Sequence, residues 1–423
     1  MDGLKLAVIG AGSSYTPEII EGLAQRAAEL PVARVTFMDI DRERMETVAG
    51  FCRRFLAHLG ASIPIQTTTD LAEAVAGATF VLTQLRVGGN RQRVQDERIP
   101  LKYGILGQET TGPGGMFKAL RTIPVMLDIA RAVEAVAPDA WIINYTNPTG
   151  LVAEAILNHT SARMVGLCSG GLFPRNWVRK ALDLPTAHVH YDYYGLNHLS
   201  FAYNVTVDGR PLTDAEFDRV AEVATWGAVD PALIRGLRLL PSPYLQYYFH
   251  RRKTVAAAAG KAQTRGEAVQ ALEAEVFAAY RDPAQVTKPA ALAKRGGGGY
   301  SEVALGIMDA LRNDRNEVAI ANTRQRGAVK WLPDDAVLEM PCLVNAAGLA
   351  PLAQGEPPAA VWGLIAAVKN YEQLTVKAAL TGDRQAALDA LLAHPLCGDY
   401  ETAVALLDEM LAANRAFLPQ FFN

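Results

Sequence analysis

Leu4-Lys-Leu-Ala-Val-Ile9 runs directly into Gly10-Ala-Gly12-Ser-Ser-Tyr-Thr16, and Pro17 follows. An apolar run ending in glycines reads as a buried strand that enters a tight turn and then a helix. Thr16 reads as the N-cap of that helix, with Pro17 at its first position. Outward from this unit, Val35–Met38 forms a second strand that ends in Asp39. Strand-like runs at Phe80–Leu82, Ile142–Ile143 and Met164–Leu167 alternate with helical stretches at Arg42–Leu59, Phe117–Val136 and Leu151–Asn158. Strand and helix in alternation predict an α/β fold, a doubly wound parallel sheet of Rossmann type covered on both faces. The first domain is placed at residues 1–165.

Residues 166–423 have a different texture and predict an α+β domain. Strands are expected at His188–Tyr194, Ser200–Val207, Val318–Asn322 and Val337–Val344. An Ala-rich helical stretch covers Thr254–Tyr280, and roughly the last 60 residues also read as helical. Gly296–Gly299 reads as a loop, either mobile or close to a ligand.

Composition narrows the function. The chain has 423 residues, half of them hydrophobic and a fifth charged, with a net charge of -3. No basic field favours nucleic acid or an anionic membrane, so an anionic ligand must be held by local arginines. No run of about 18 apolar residues suggests a membrane span, and the first strand leaves no signal-peptide pattern. Four scattered cysteines without a CxxC pair fit a reducing cytoplasm.

Gly10-x-Gly12 sits where a dinucleotide fingerprint belongs. One glycine permits the turn, and the next lets the backbone approach a pyrophosphate at the helix N-terminus. Tyr15 takes the place of the third glycine, so the motif alone is weak. Asp39 strengthens it, because a carboxylate there accepts ribose hydroxyls and repels a 2′-phosphate. NAD is therefore expected over NADP, with nearby Arg42 moderating the preference. The bland alternative is a strand–turn–helix with a capping aspartate.

Asn144-Tyr-Thr-Asn147-Pro148 follows a strand, at the end where open α/β sheets bind ligands; alone, Asn-Pro is a turn starter. Cys168 ends the next strand, and Asn197-His198 follows Tyr193-Tyr-Gly-Leu. One Cys and one His at that spacing make no zinc motif, and a buried Cys usually only packs. Tyr244 lies in an aromatic cluster that would ordinarily be core. Arg93 lies in Arg86–Glu97, which reads as a charged, glycine-containing loop on a solvated face.

Taken together, these segments resemble glycoside hydrolase family 4, the NAD-dependent glycosidases that depart from two-carboxylate hydrolysis. The resemblance rests on Gly10–Pro17, Arg86–Gly88, Ile99–Gly115, Asn144–Pro148, Tyr194–His198, Pro243–Tyr248, Thr264-Arg265, Asn322–Gly327 and Leu332–Asp335. These occur in family order and span nearly the whole chain. The resemblance implies a lactate/malate dehydrogenase-like first domain and a catalytic second one. It implies that Gly10, Gly12, Ser13 and Asp39 bind NAD, that Cys168 and His198 ligate a divalent metal, usually Mn²⁺, and that Tyr244 is the catalytic base. It assigns Asn147 to the sugar hydroxyls and Arg93 and Arg265 to a 6-phosphate. The substrate implied is a small phosphorylated glycoside, handled by a homodimer or homotetramer.

The residue after the metal-ligating cysteine is commonly Asp in the family's α-glucosidases and Asn in its β-glucosidases. Here it is Ser169, followed by Gly170-Gly171. A serine hydroxyl is no substitute for a carboxylic acid, which argues for 6-phospho-β-glucosides. Action on 6-phospho-α-glucosides or unphosphorylated glycosides is the nearer alternative. A lactate/malate-type 2-hydroxy acid dehydrogenase would share the cofactor half but needs no metal pair. An inactive NAD-binding or sugar-phosphate-sensing protein would have no use for Cys168, His198 and Tyr244 together.

Overall fold

The structure, a computed structural model, describes residues 3–295 and 299–422, so Gly296, Gly297 and Gly298 lie outside the described residues. The opening unit folds as expected. Strand β1 (Leu4–Ile9) pairs in parallel with β2 (Val32–Met38) on one side. Beyond β2 lies β3 (Ile65–Thr68), and on the other side of β1 come β4 (Phe80–Thr83), β5 (Trp141–Asn144) and β6 (Arg163–Gly166). The order β3-β2-β1-β4-β5-β6, all parallel, is that of a dinucleotide-binding sheet. Such a sheet is covered on both faces, hence the fully apolar runs Phe80–Leu82 and Ile142–Ile143.

The second half extends this sheet and also builds its own. The hairpin of β7 (Val189–Leu196) and β8 (Leu199–Val207) forms a smaller antiparallel sheet with β9 (Arg210–Pro211) and β10 (Leu240–Pro241). Strand β11 (Glu317–Arg324) runs antiparallel beside β6, and β12 (Val337–Asn345) and β13 (Gly348–Pro351) follow outward. One nine-stranded sheet therefore carries strands from both halves.

Three local expectations need correction. Thr16 is the first helical residue of Thr16–Gln25, and its hydroxyl donates to the Ala11 carbonyl at 2.8 Å instead of capping the helix. Arg86–Glu97 is largely helical, because a helix spans Gly89–Lys102 after the left-handed Gly88. The Ala-rich stretch divides into Arg251–Ala259 and Arg265–Arg281, where Thr264 and Glu267 form a capping box that starts a new helix.

Candidate active site

The cofactor turn is shaped by close contacts. Gly10 has φ +84°, and an added Cβ would lie 3.0 Å from the Leu85 backbone. At Gly12 an added Cβ would lie 2.8 Å from Asp39 Oδ2, so both positions demand glycine. Asp39 Oδ2 accepts the Gly12 amide at 2.8 Å, and Oδ1 accepts that of Asp41 at 3.0 Å. Ser13 sits within the turn, its amide donating to the Gly10 carbonyl at 3.0 Å. The cation beside this turn is Arg44, whose Nε donates to the Gly12 carbonyl at 2.7 Å; Arg42 turns away to Thr69. Ile40, next to Asp39, is an apolar side chain left 91% exposed. Such a cradle fits a dinucleotide, with a helix N-terminus for the phosphates and a carboxylate for the ribose.

Glu273 ties the second half to this turn. It accepts hydrogen bonds from Asn90 (2.9 Å), Arg295 (2.8 Å), Arg44 (3.2 Å) and the Ser14 hydroxyl (3.4 Å). Sequence reading gave no signal for it.

Three strands along from β1, Cys168 lies just past the C-terminal end of β6, its sulfur accepting the Gly170 amide at 3.3 Å. His198 occupies the two-residue turn between β7 and β8 with φ +67°. Asn197, the other turn residue, donates its side-chain amide to Glu339 at 2.7 Å. The hairpin tip thus reaches Cys168 through Glu339, since an added Cβ at Gly170 would lie 3.4 Å from the Cys168 sulfur and 3.8 Å from Glu339 Oε1. Burial pushes the Cys168 thiol up to about 12, reinforced by the Glu339 carboxylate. Burial also pushes the His198 imidazole down to about 3.

His198 Nδ1 lies 2.7 Å from the Thr110 hydroxyl. That hydroxyl donates its own proton to Gln108 Oε1 at 2.8 Å, so it accepts from Nδ1–H. Nε2 is then the ring nitrogen with a lone pair for a metal. Among the described residues no third His, Cys, Asp or Glu completes a cluster. The surroundings nevertheless suit a cation: a thiol, the buried Glu339 and the buried Asn322 Oδ1, which has no partner, are all acceptors. Tyr244 is half-buried and stacks on His198, with ring centroids 3.8 Å apart.

The expected phosphate arginines are placed differently from each other. Arg93 is buried, its Nε donating to Glu97 at 2.8 Å and its Nη1 3.0 Å from Glu109. Glu97 also accepts the Gly266 amide at 2.7 Å, which seats the start of the Arg265–Arg281 helix against Arg93. Arg265 is exposed and donates to the carbonyls of Lys294 (3.2 Å) and Arg295 (2.6 Å).

Glu109 also pairs with Arg86 and with Lys118, the latter at 2.9 Å. These cations hold its carboxyl well below the usual range. Burial, and then Arg86, push the Lys118 ammonium down to about 7. Glu109 was legible only as part of the matched run Ile99–Gly115. Asn147 lies past the end of β5, half-buried, with Thr149 donating to its Oδ1 at 3.5 Å. Gly299 is the described end of the glycine segment, and an added Cβ there would lie 3.5 Å from Ser169.

Fold and site together define an enzyme of dehydrogenase-like architecture, with a candidate metal pair and arginines beyond its cofactor turn. Comparison with known proteins is specific. The family 4 glycosyl hydrolase profile matches residues 5–184, and the profile of that family's C-terminal domain matches residues 193–397. A probable 6-phospho-beta-glucosidase of Bacillus subtilis is 40% identical over 438 residues, spanning 100% of this chain and 98% of the relative. The structure of the 6-phospho-beta glucosidase from Thermotoga maritima with NAD and glucose-6-phosphate superposes with a TM-score of 0.91. It shares 37% identity, covering 98% of this chain and 99% of that one. A 6-phospho-alpha-glucosidase of Lacticaseibacillus paracasei is 30% identical across 99% of this chain and 100% of the relative. A lactate dehydrogenase superposes at 0.55 with 13% identity, covering 90% of this chain and 100% of that one, a likeness of fold alone. The chain belongs to the family 4 glycosyl hydrolases, and is an NAD-dependent glycoside hydrolase.

Proposed function

We propose that this enzyme hydrolyses 6-phospho-β-glucosides by transient oxidation of the sugar at carbon 3. The observation that supports the reading is the placement of Cys168, His198 and Tyr244 around one hairpin tip, with Glu339 between Asn197 and the Cys168 sulfur. Relatives at 37–40% identity are named as 6-phospho-β-glucosidases or probable ones, while relatives at 27–30% are named as α-type phosphoglucosidases. Gly10, Gly12, Ser13 and Asp39 hold the NAD, and Cys168 and His198 the divalent metal. When bound, NAD⁺ supplies the hydride acceptor for carbon 3 and Mn²⁺ supplies Lewis acidity at the carbon 3 oxygen.

The chain's own residues manage position and protons. Asn147 fixes the sugar hydroxyls, and Arg93 and Arg265 hold the 6-phosphate by charge-assisted hydrogen bonds. Tyr244, as the phenolate, removes the carbon 2 proton; a nearby divalent cation favours that ionised form. The aglycone leaves carbon 1 by elimination, water adds back, and the hydride returns. Ser169 has no carboxylic acid to protonate a leaving group, which favours β-linked substrates with good leaving groups. Residues 1–165 serve as the NAD-binding domain and 166–423 as the metal and substrate domain, in a cytoplasmic homodimer or homotetramer. No helix among the described residues is long and apolar enough to cross a membrane.

The test combines cofactor and substrate. Activity should require NAD⁺ without consuming it, and deuterium at carbon 2 should exchange with solvent. In a panel of α- and β-linked phenyl glucosides, each with and without a 6-phosphate, the phosphorylated β-compound should turn over fastest. Full turnover without NAD⁺, or retention of all the label, overturns the mechanism. A preference for an α-linked or unphosphorylated compound overturns the substrate assignment.

A further inference from the structure

Buried carboxylates in this protein are paired with cations. Asp96 meets Arg121, Glu97 meets Arg93, Glu154 and Glu372 share Lys369, and Asp309 meets Arg315. Glu339, on β12 and 2% exposed, is the exception among the described residues. Its partners are neutral donors only. Oε1 accepts the Tyr193 hydroxyl at 2.7 Å, and Oε2 accepts the side-chain amides of Asn197 at 2.7 Å and Asn322 at 3.3 Å. A buried carboxylate without a counter-charge is unfavourable. Beside it stand two further acceptors, the Cys168 sulfur and Asn322 Oδ1. Cys168 and Glu339 flank Gly170, where an added Cβ would lie 3.4 Å from the one and 3.8 Å from the other.

We propose that Glu339 is the positioning residue of the metal site, acting through Asn197 on His198 and standing beside Cys168 across Gly170. Asn197 gives its amide to Glu339 and is bonded in sequence to His198, while Glu339 and the Cys168 sulfur face the same side of Gly170. One carboxylate thus orients the hairpin tip that carries one ligand and borders the sulfur of the other. A divalent cation bound there supplies the positive charge that Glu339 lacks. This rests on the reading that Cys168 and His198 hold the metal. Partners of this kind, one shell beyond the ligands, commonly set metal affinity by roughly 10- to 100-fold.

The experiment is a Mn²⁺ titration of the full-length, metal-free protein, followed by calorimetry and by the electron paramagnetic resonance of free Mn²⁺. Wild type, Glu339→Gln, Asn197→Ala and Cys168→Ser are compared, together with their melting temperatures without metal. Glu339→Gln should weaken Mn²⁺ by roughly 10- to 100-fold. Its metal-free melting temperature should equal or exceed that of wild type, because an uncompensated buried charge has gone. Asn197→Ala should show the same loss of affinity, and it decides the question if Glu339→Gln does not fold. A purely structural Glu339 would give the reverse, a lower melting temperature with unchanged Mn²⁺ affinity, and that result overturns the proposal. If Cys168→Ser binds Mn²⁺ as wild type does, or wild type binds none, the ligand assignment falls and the proposal with it. Loss in Cys168→Ser alone, with wild-type affinity in Glu339→Gln, overturns the role of Glu339 and leaves the ligand assignment standing.

Discussion

The rings of His198 and Tyr244 lie face to face, with centroids 3.8 Å apart and planes 15° from parallel. His198 comes from the β7–β8 turn, whereas Tyr244 follows β10, which pairs with β8 through Leu240 and Pro241. Pairing of β10 to β8 therefore brings the proposed base onto the proposed metal ligand. A phenol held there needs no long motion to sense a bound cation.

Tyr244→Phe keeps the stack and removes the hydroxyl. Turnover of a phosphorylated β-glucoside should fall by roughly 10²- to 10⁴-fold, the usual worth of a general base, with Mn²⁺ affinity near wild type. Tyr244→Ala should lose turnover and also weaken Mn²⁺, because His198 loses its neighbour. Steady-state rates beside a Mn²⁺ titration check both; wild-type turnover in Tyr244→Phe would remove Tyr244 from the mechanism.

The two arginines should separate binding from stability. Arg265→Ala removes an exposed guanidinium, so KM should rise about 10- to 150-fold for 6-phosphorylated substrates, from the loss of about 1.5–3 kcal/mol. Stability should hardly change. Arg93→Ala should raise KM similarly but also lower the melting temperature, because Glu97 loses its ion-pair partner and Glu109 one of three. Equal effects on phosphorylated and free sugars would refute the phosphate assignment.

Cofactor choice should follow Asp39. Its carboxylate shapes the turn through the Gly12 amide and faces the ribose position, so Asp39→Ala should weaken NAD⁺ by about tenfold or more. Discrimination against NADP⁺ should narrow, because the carboxylate that repels a 2′-phosphate is gone while Arg44 remains beside Gly12. Fluorescence titration with both dinucleotides measures this, and an unchanged NAD⁺ affinity would exclude Asp39 from the cofactor site.

Acid should destabilise the protein partly through His394. Burial pushes this imidazole down to about 3, against an ordinary value near 6.5. Between those values the unfolded chain binds a proton that the folded one refuses. Stability should therefore fall as pH drops from about 6.5 towards 3. Urea unfolding at several pH values should show a shallower fall in His394→Gln than in wild type; identical slopes would mean His394 does not contribute.

How much of this was legible depends on whether a feature is local. β1, its glycine turn and Asp39 were readable because strand, turn and ribose-facing carboxylate follow one another along the chain. Hydrophobic patterning also located β11 and β12, but not that β11 joins β6, since an edge pairing leaves little trace in composition. Arg93 reads as a solvated loop because charged residues usually are solvated; its burial depends on Glu97 and Glu109, whose facing sides come from the fold.

By itself the sequence determined the dinucleotide-binding sheet and the family, and it singled out the glycine turn, Cys168, His198 and Tyr244 as the proposed site. Those follow from periodicity, from glycines that only one backbone shape requires, and from motifs in a recognisable order. Tertiary structure alone decided which acceptor faces which donor. Asn197 meets Glu339 across 142 residues, and Glu97 meets the Gly266 amide across 169. No local propensity encodes such pairs. They form because the sheet and hairpin, driven together by burial of apolar surface, leave polar groups that must find partners inside.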